Sequence, residues 1–344
     1  MSDATTPTTD SDTKAAAKVP AFDKTLIEKT WKYSSPLIAC RFDPSGQWLF
    51  SAAQNQAIQR WNLADGSATE LIGHQSWLRA IGFSPDSQTL YSGGYDGQLI
   101  AWNATDQQPT PRQSVEAHHG WIRSLAVSPD GSMIATAGND LQVKLWDAST
   151  LSLIRCLEGH ESHIYSLLFH PDGQTLLSGD LTGKIHQWKV DSGELQRTLG
   201  AEALHTYNGG QGAHYGGVRS MSLSPDGKAL ACGGLHNASN PFGAVQEPLV
   251  VLIDWSTGQA TKQLIGDAIP QGIVWRVGFH ASGTLLGTSG GGSGGFLLFW
   301  DTNAEKPMHQ FKLPNTSLDM DLHPDGKQVA TVHFDRHVRL SLLQ

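Results

Sequence analysis

Read for its apolar and polar positions, the chain breaks into short extended runs rather than long amphipathic ones. Leu90-Tyr91-Ser92-Gly93-Gly94 and Leu99-Ile100-Ala101-Trp102 are typical, each bounded by Asp/Gly turns. No segment carries a helical period, so the pattern predicts β-strands throughout. The turns themselves recur. Asp43-Pro44-Ser45-Gly46, Ser84-Pro85-Asp86-Ser87, Ser128-Pro129-Asp130-Gly131, His170-Pro171-Asp172-Gly173, Ser224-Pro225-Asp226-Gly227 and His323-Pro324-Asp325-Gly326 are variants of one motif, and His280-Ala281-Ser282-Gly283 is a seventh without proline. Most neighbours are about 41–44 residues apart. Seventeen residues after the proline stands a tryptophan in four units (Trp61, Trp102, Trp146, Trp188), and Trp300 fills the equivalent place in the sixth. A fixed period with about four short strands per unit describes a propeller blade.

The motifs Gly73-His74, Gly159-His160, Trp146-Asp147 and Trp300-Asp301 resemble those of the WD40-repeat family, and the likeness runs over roughly residues 22–344. The resemblance implies an all-β, seven-bladed β-propeller of four-stranded antiparallel blades. First strands are expected near Leu37, Leu78, Ile122, Ile164, Val218, Val274 and Ser317. The last unit has only three strands before Gln344, so the extended segment Thr25–Trp31 is expected to complete it and close the ring.

The resemblance also implies a buried polar relay in each regular blade. In blade two it would be His74, Ser92, Asp96 and Trp102; in blade three His118, Thr136, Asp140 and Trp146. Blade four keeps His160, Ser178 and Trp188 but has Thr182 where the aspartate belongs. Blade five offers His214 with Ile253 in place of tryptophan, and blade seven Thr331 and Asp335 with Ser341.

Partner-contacting positions of the family lie three and five residues after the Gly-His histidine and just before the turn aspartate. The first gives Trp77, Trp121, His163 and Gly217; the second gives Arg79, Arg123, Tyr165 and Arg219. Alignment from the repeated turns adds Ile38 and Trp275 at the second position, and the third gives Tyr95, Asn139 and Phe334. That set is rich in Trp, Tyr and Arg, the side chains that dominate binding hot spots. The arginines would suit a carboxylate, or would stack on the neighbouring rings. Two long loops, Ala201–Gly217 and His236–Pro248, are expected on the same side.

Composition narrows the alternatives. With 24 Lys and Arg against 32 Asp and Glu among 344 residues, the net charge is −8, which argues against a general nucleic-acid binder. The longest apolar run, Pro248–Ile253, is too short to span a bilayer. Cys40, Cys156 and Cys232 form no CxxC pair, so neither a disulfide scaffold nor a zinc ribbon is indicated. Residues 1–20 are Thr/Ser/Asp/Ala-rich without an apolar leader and read as a disordered tail before a propeller at 21–344, with the cytoplasm as the default compartment.

The Asp-His-Ser sets belong to the implied relay, so no catalytic residue, metal site or cofactor is assigned. The glycine run Ser289–Gly295 lacks the Lys-Ser/Thr ending and following helix of a phosphate loop. The expected function is a non-enzymatic scaffold, monomeric by itself, that binds a protein or peptide with an acidic or aromatic feature. The competing reading is a small-molecule or metal-binding propeller enzyme using His205, His214, Tyr215 and His236 near blade five.

Overall fold

The computed structural model describes residues 20–240 and 245–344. The predicted tail therefore lies outside the described residues apart from Pro20, as do residues 241–244 of the second long loop. The described chain forms seven four-stranded antiparallel sheets arranged as the blades of a ring, plus one small hairpin, His205–Asn208 with Ala213–Gly216. Inner strands begin at Leu37, Leu78, Ile122, Ile164, Ser220, Ile273 and Ser317. The N-terminal strand Leu26–Lys32 pairs antiparallel with His337–Leu342, so both chain ends share blade seven.

The apolar pattern follows from this geometry. Second strands such as Thr89–Gly94 and Thr175–Asp180 are buried at every position, because neighbouring blades cover both faces of the sheet. Outer strands alternate; Leu26–Lys32 is exposed at every second residue. All seven repeated turns close the same bond from the fourth residue's amide to the first residue's carbonyl, at 2.8–3.0 Å, including the turn without proline. In five of them the fourth residue is a glycine at φ 69 to 74°, a backbone state that only glycine adopts without cost.

The tryptophans of blades two to four end in the polar relay. In blade two Trp102 Nε1 donates to Ser92 Oγ at 2.8 Å, Ser92 Oγ meets His74 Nε2 at 2.8 Å, and His74 Nδ1 donates to Asp96 at 3.1 Å. Blade three repeats this with Trp146, Thr136, His118 and Asp140. Blade four corrects the sequence reading. Asp180, two residues before Thr182, accepts a hydrogen bond from His160 Nδ1 at 2.9 Å, and Thr182 Oγ1 donates to Asp180 at 2.8 Å. The rest of that relay, His160 to Ser178 to Trp188, is in place.

Blade five departs further. His214 is no relay member; it lies on the small hairpin and bonds His205 at 2.8 Å. In blade seven His333 takes the histidine's role from inside the sheet, bonded to Thr331 at 2.8 Å and to the Asn315 carbonyl at 3.0 Å, while Asp335 pairs with Arg339. Trp61 still reaches Ser51, whereas Trp300 donates to the Ile265 carbonyl.

Adjacent blades are sewn together near the axis by side chains that bond the next blade's inner strand. Ser124 Oγ accepts from the Leu167 amide and Ser220 Oγ from the Val277 amide, and Ser166 Oγ donates to the Val218 carbonyl. At the seam between blades seven and one, carboxylates replace the hydroxyls. Asp319 accepts from the Cys40 amide and Asp321 from the Phe42 amide, and Asp319 is also salt-bridged to Arg41 at 2.8 Å. These contacts serve backbone groups that a sheet edge leaves unpaired.

Two outcomes follow. Asp319→Ala leaves Arg41 without its partner and is expected to cost about 3–5 kcal/mol, read as a lower urea midpoint. Burial would raise the carboxyls of Asp96, Asp140 and Asp180, but hydrogen bonds from their histidines overcome it and hold them below the ordinary value. Their contribution is then complete above the unfolded carboxyl value near about 3.9 and is lost as pH falls through the lower folded values. Asp140→Asn should accordingly be less stable than wild type at pH 6, with the deficit shrinking toward pH 3 in thermal melts.

Candidate functional site

The inner strands share a local irregularity that builds the centre of one face. Pairing with the second strand slips by one residue between Leu37 and Ala39, Leu78 and Ala80, Ile122 and Ser124, Ile164 and Ser166, Val274 and Arg276, and Ser317 and Asp319. Each slip is a β-bulge, and a bulge re-aims the side chain of its extra residue. Those extra residues are Ile38, Arg79, Arg123, Tyr165, Trp275 and Leu318. In blade five Arg219 occupies the matching place, its amide bonded to the Gly233 carbonyl beside the Ser220–Gly233 pair. In blades two to six that side chain, Arg79, Arg123, Tyr165, Arg219 or Trp275, lines the channel mouth, whereas Ile38 lies in the apolar core and Leu318 packs against it.

Five of these side chains interlock. Arg123 lies over Tyr165 at 4.6 Å and over Trp121 at 5.0 Å; Arg219 lies over the other neighbour of the series, Trp275, at 5.8 Å and over Tyr165 at 3.9 Å. Arg79 covers Trp275 at 4.5 Å. Tyr95 extends the series by stacking on Trp121, with centroids 4.3 Å apart and planes within 3°. The result is one run of rings and guanidiniums, alternating from Trp121 onward: Tyr95, Trp121, Arg123, Tyr165, Arg219, Trp275, Arg79. A small cavity of about 30 Å³ is enclosed by Arg79, Tyr95, Arg123, Tyr165, Arg219 and Trp275.

The arginines are stacked rather than neutralised. Arg79 donates to the Leu318 carbonyl at 2.9 Å and Arg123 Nε to Asn139 Oδ1, and among the described residues neither they nor Arg219 forms a salt bridge. Arg219 Nε and Trp275 Nε1 are buried without hydrogen-bond partners. Burial lowers the pKa of Arg219, and Arg79 and Arg123 add to the shift against the opposing influence of Tyr165. His163, beside this group, is shifted down by burial and by Arg123.

Trp77 and Phe334 stand apart. They are 45% and 56% exposed on the rim and join no aromatic stack. Backbone pairing fixes the rim positions: the Trp77 carbonyl accepts from the Tyr95 amide, that of Trp121 from Asn139 and that of His163 from Leu181.

The family model of the WD domain, G-beta repeat, matches four segments, residues 67–103, 109–147, 151–189 and 202–237. With the seven blades and their ring closure, this decides the matter. The chain is a WD40-repeat propeller. The first three matched segments hold the three histidine–hydroxyl–tryptophan relays. WD40 propellers generally act as protein-interaction scaffolds. No curated protein matches the chain.

The blade-five histidines fall into two separate pairs in this WD40 ring, His205 with His214 and His236 with Glu247 at 3.2 Å. Among the described residues no three His, Cys, Asp or Glu side chains are grouped to hold a metal ion, and no helix is long and apolar enough to cross a membrane. Sequence reasoning missed Leu318, whose carbonyl anchors Arg79, and Arg41, Arg276 and Asp319 deeper in the channel. Leu318 could have been found by counting the bulge position from the Pro324 turn as in the other blades. The deeper residues carry no repeat signature.

A half-buried guanidinium whose Nε has no partner and which two others crowd is a cost to the fold that function can justify. Arg219→Met keeps the length and loses the charge. It is expected to leave stability unchanged or raise it by about 0.5–2 kcal/mol in denaturant titration. A clear loss instead would make the ring a packing device.

Proposed function

We propose that this propeller is a non-enzymatic scaffold that receives a protein or peptide segment over the channel mouth, through an acidic or aromatic feature of that segment. The observation that carries this reading is the unbroken run of rings and guanidiniums on one face, with indoles left exposed at its rim: Trp77 at 45% and Trp121 at 42%. Stacking occupies the flat faces of the guanidiniums and leaves their N–H edges for planar acceptors, so an acidic side chain can be held without disturbing the stack. The indoles of Trp77 and Trp121 supply apolar area beside that charge, the combination typical of binding hot spots.

The partner site comprises Trp77, Arg79, Tyr95, Trp121, Arg123, His163, Tyr165, Arg219, Trp275 and Phe334. Arg79, Arg123 and Arg219, without carboxylate partners, make the site a local positive patch on a molecule of net charge −8, which orients an acidic segment toward the channel rather than toward the blade sides.

A pull-down from the native host should identify the partner, and the Trp121→Ala/Arg123→Ala double variant, folded by circular dichroism, should retain it at least about tenfold more weakly. Equal recovery by the folded variant would remove this face from consideration.

A further inference from the structure

Beneath the mouth, the channel opens into a second cavity of about 320 Å³. Arg79, Arg123, Tyr165, Arg219 and Trp275 line both cavities, so the stacked run forms a partition between them. The lower cavity has an unbalanced wall. Five arginines line it, Arg41, Arg79, Arg123, Arg219 and Arg276, with one lining carboxylate, Asp319, and a second, Asp321, close enough to act on Arg41 and Arg276. Arg41 is answered by Asp319 at 2.8 Å, while Arg276 Nε lies 4.0 Å from the same carboxylate. Arg79, Arg123 and Arg219 have no carboxylate within salt-bridge distance among the described residues.

We propose that this chamber is a binding site for a small oxyanion carrying two or more negative charges, of the phosphate or carboxylate type. Size sets the upper bound. The volume is at the low end of the range of about 300–1,000 Å³ that small-ligand sites occupy, too small for a folded segment. Charge sets the sign, since several like charges converging in one narrow channel repel one another until a counter-charge enters. Geometry sets the donor type. The aromatic rings cover the faces of Arg79, Arg123 and Arg219, leaving in-plane N–H groups that match the oxygens of phosphate and carboxylate. Arg219 Nε and Trp275 Nε1, both buried and unpartnered, are donors at the partition itself. The site goes beyond the partner-binding reading: Arg41, Arg276 and Asp319 take no part in the proposed contact face, and Trp77 lines neither cavity.

Isothermal titration of the full chain with inorganic pyrophosphate, and separately with citrate, at constant ionic strength held by chloride, tests this directly. One-to-one saturable binding with a matching rise in melting temperature is expected. Pyrophosphate alone binding assigns a phosphate-type ligand; citrate alone assigns a carboxylate; both together assign a general multivalent oxyanion site. Arg276→Gln should weaken the anion at least tenfold with partner capture unchanged, and Trp77→Ala should weaken partner capture with the anion unchanged. If Arg276→Gln does not fold, Arg276→Lys, which keeps the charge and loses the planar fork, should still bind severalfold more weakly. Absence of saturable binding by either anion, or wild-type affinity in both Arg276→Gln and Arg219→Gln, would overturn the proposal.

Discussion

A small four-stranded sheet whose second strand is apolar on both faces can bury itself only between two other sheets. A row of such sheets leaves two uncovered faces, and a closed ring leaves none. That demand organises this molecule. The second strands are buried throughout because each blade is covered by its neighbours, and the ring closes because Leu26–Lys32 supplies the outer strand that the last blade lacks. Closure at the seam is reinforced at the axis, where Asp319 and Asp321 bond the amides of blade one and Arg41 answers Asp319. Elsewhere a serine hydroxyl is enough, since the chain itself already joins those blades.

Closing the ring also brings the inner strands to one axis, and the chemistry of the centre follows. A bulge at the same place in blades two, three, four and six, with Arg219 in the matching place of blade five, brings one side chain from each of these five blades to the mouth. Each such side chain is unremarkable alone. Three arginines and two aromatic rings in neighbouring places become an interlocked partition, because a guanidinium face and a ring face attract while guanidiniums repel. The alternation of rings and cations along the run separates the positive charges and leaves part of each hydrogen-bonding edge uncommitted, since Arg79 gives one bond to Leu318 and Arg123 one to Asn139.

The legible part of the molecule is the part that repeats. Turn, strand and tryptophan recur at fixed offsets, so the blade count, the closing strand and the relays of blades two and three could be read residue by residue. Reading failed where one blade solves the shared problem differently. Asp180 reaches His160 from two positions before the usual place, because Thr182 holds its other oxygen. His214 follows a glycine-rich loop at a plausible spacing, yet that loop folds into its own hairpin and pairs the residue with His205. In blade seven His333 arises inside the strand it serves. Periodicity carries no information about such substitutions, because each replaces a contact rather than a spacing.

By itself the sequence determined the architecture: a repeat near 42 residues, strands short enough for a blade, and a leftover strand to close the circle. It also placed Trp77, Trp121 and Trp275 at the positions where the resemblance expects partner contact. Only the tertiary structure decided how those residues combine. Trp275 is covered by Arg79 from a distant blade, Tyr165 lies between Arg123 and Arg219, and Trp77 remains free at the rim. The reason is physical. Local pattern sets which strand a residue occupies and which way it points, but the contacts at the axis join residues far apart in the chain, 239 positions for Arg79 and Leu318 and 279 for Cys40 and Asp319. Those contacts exist only once the ring has closed.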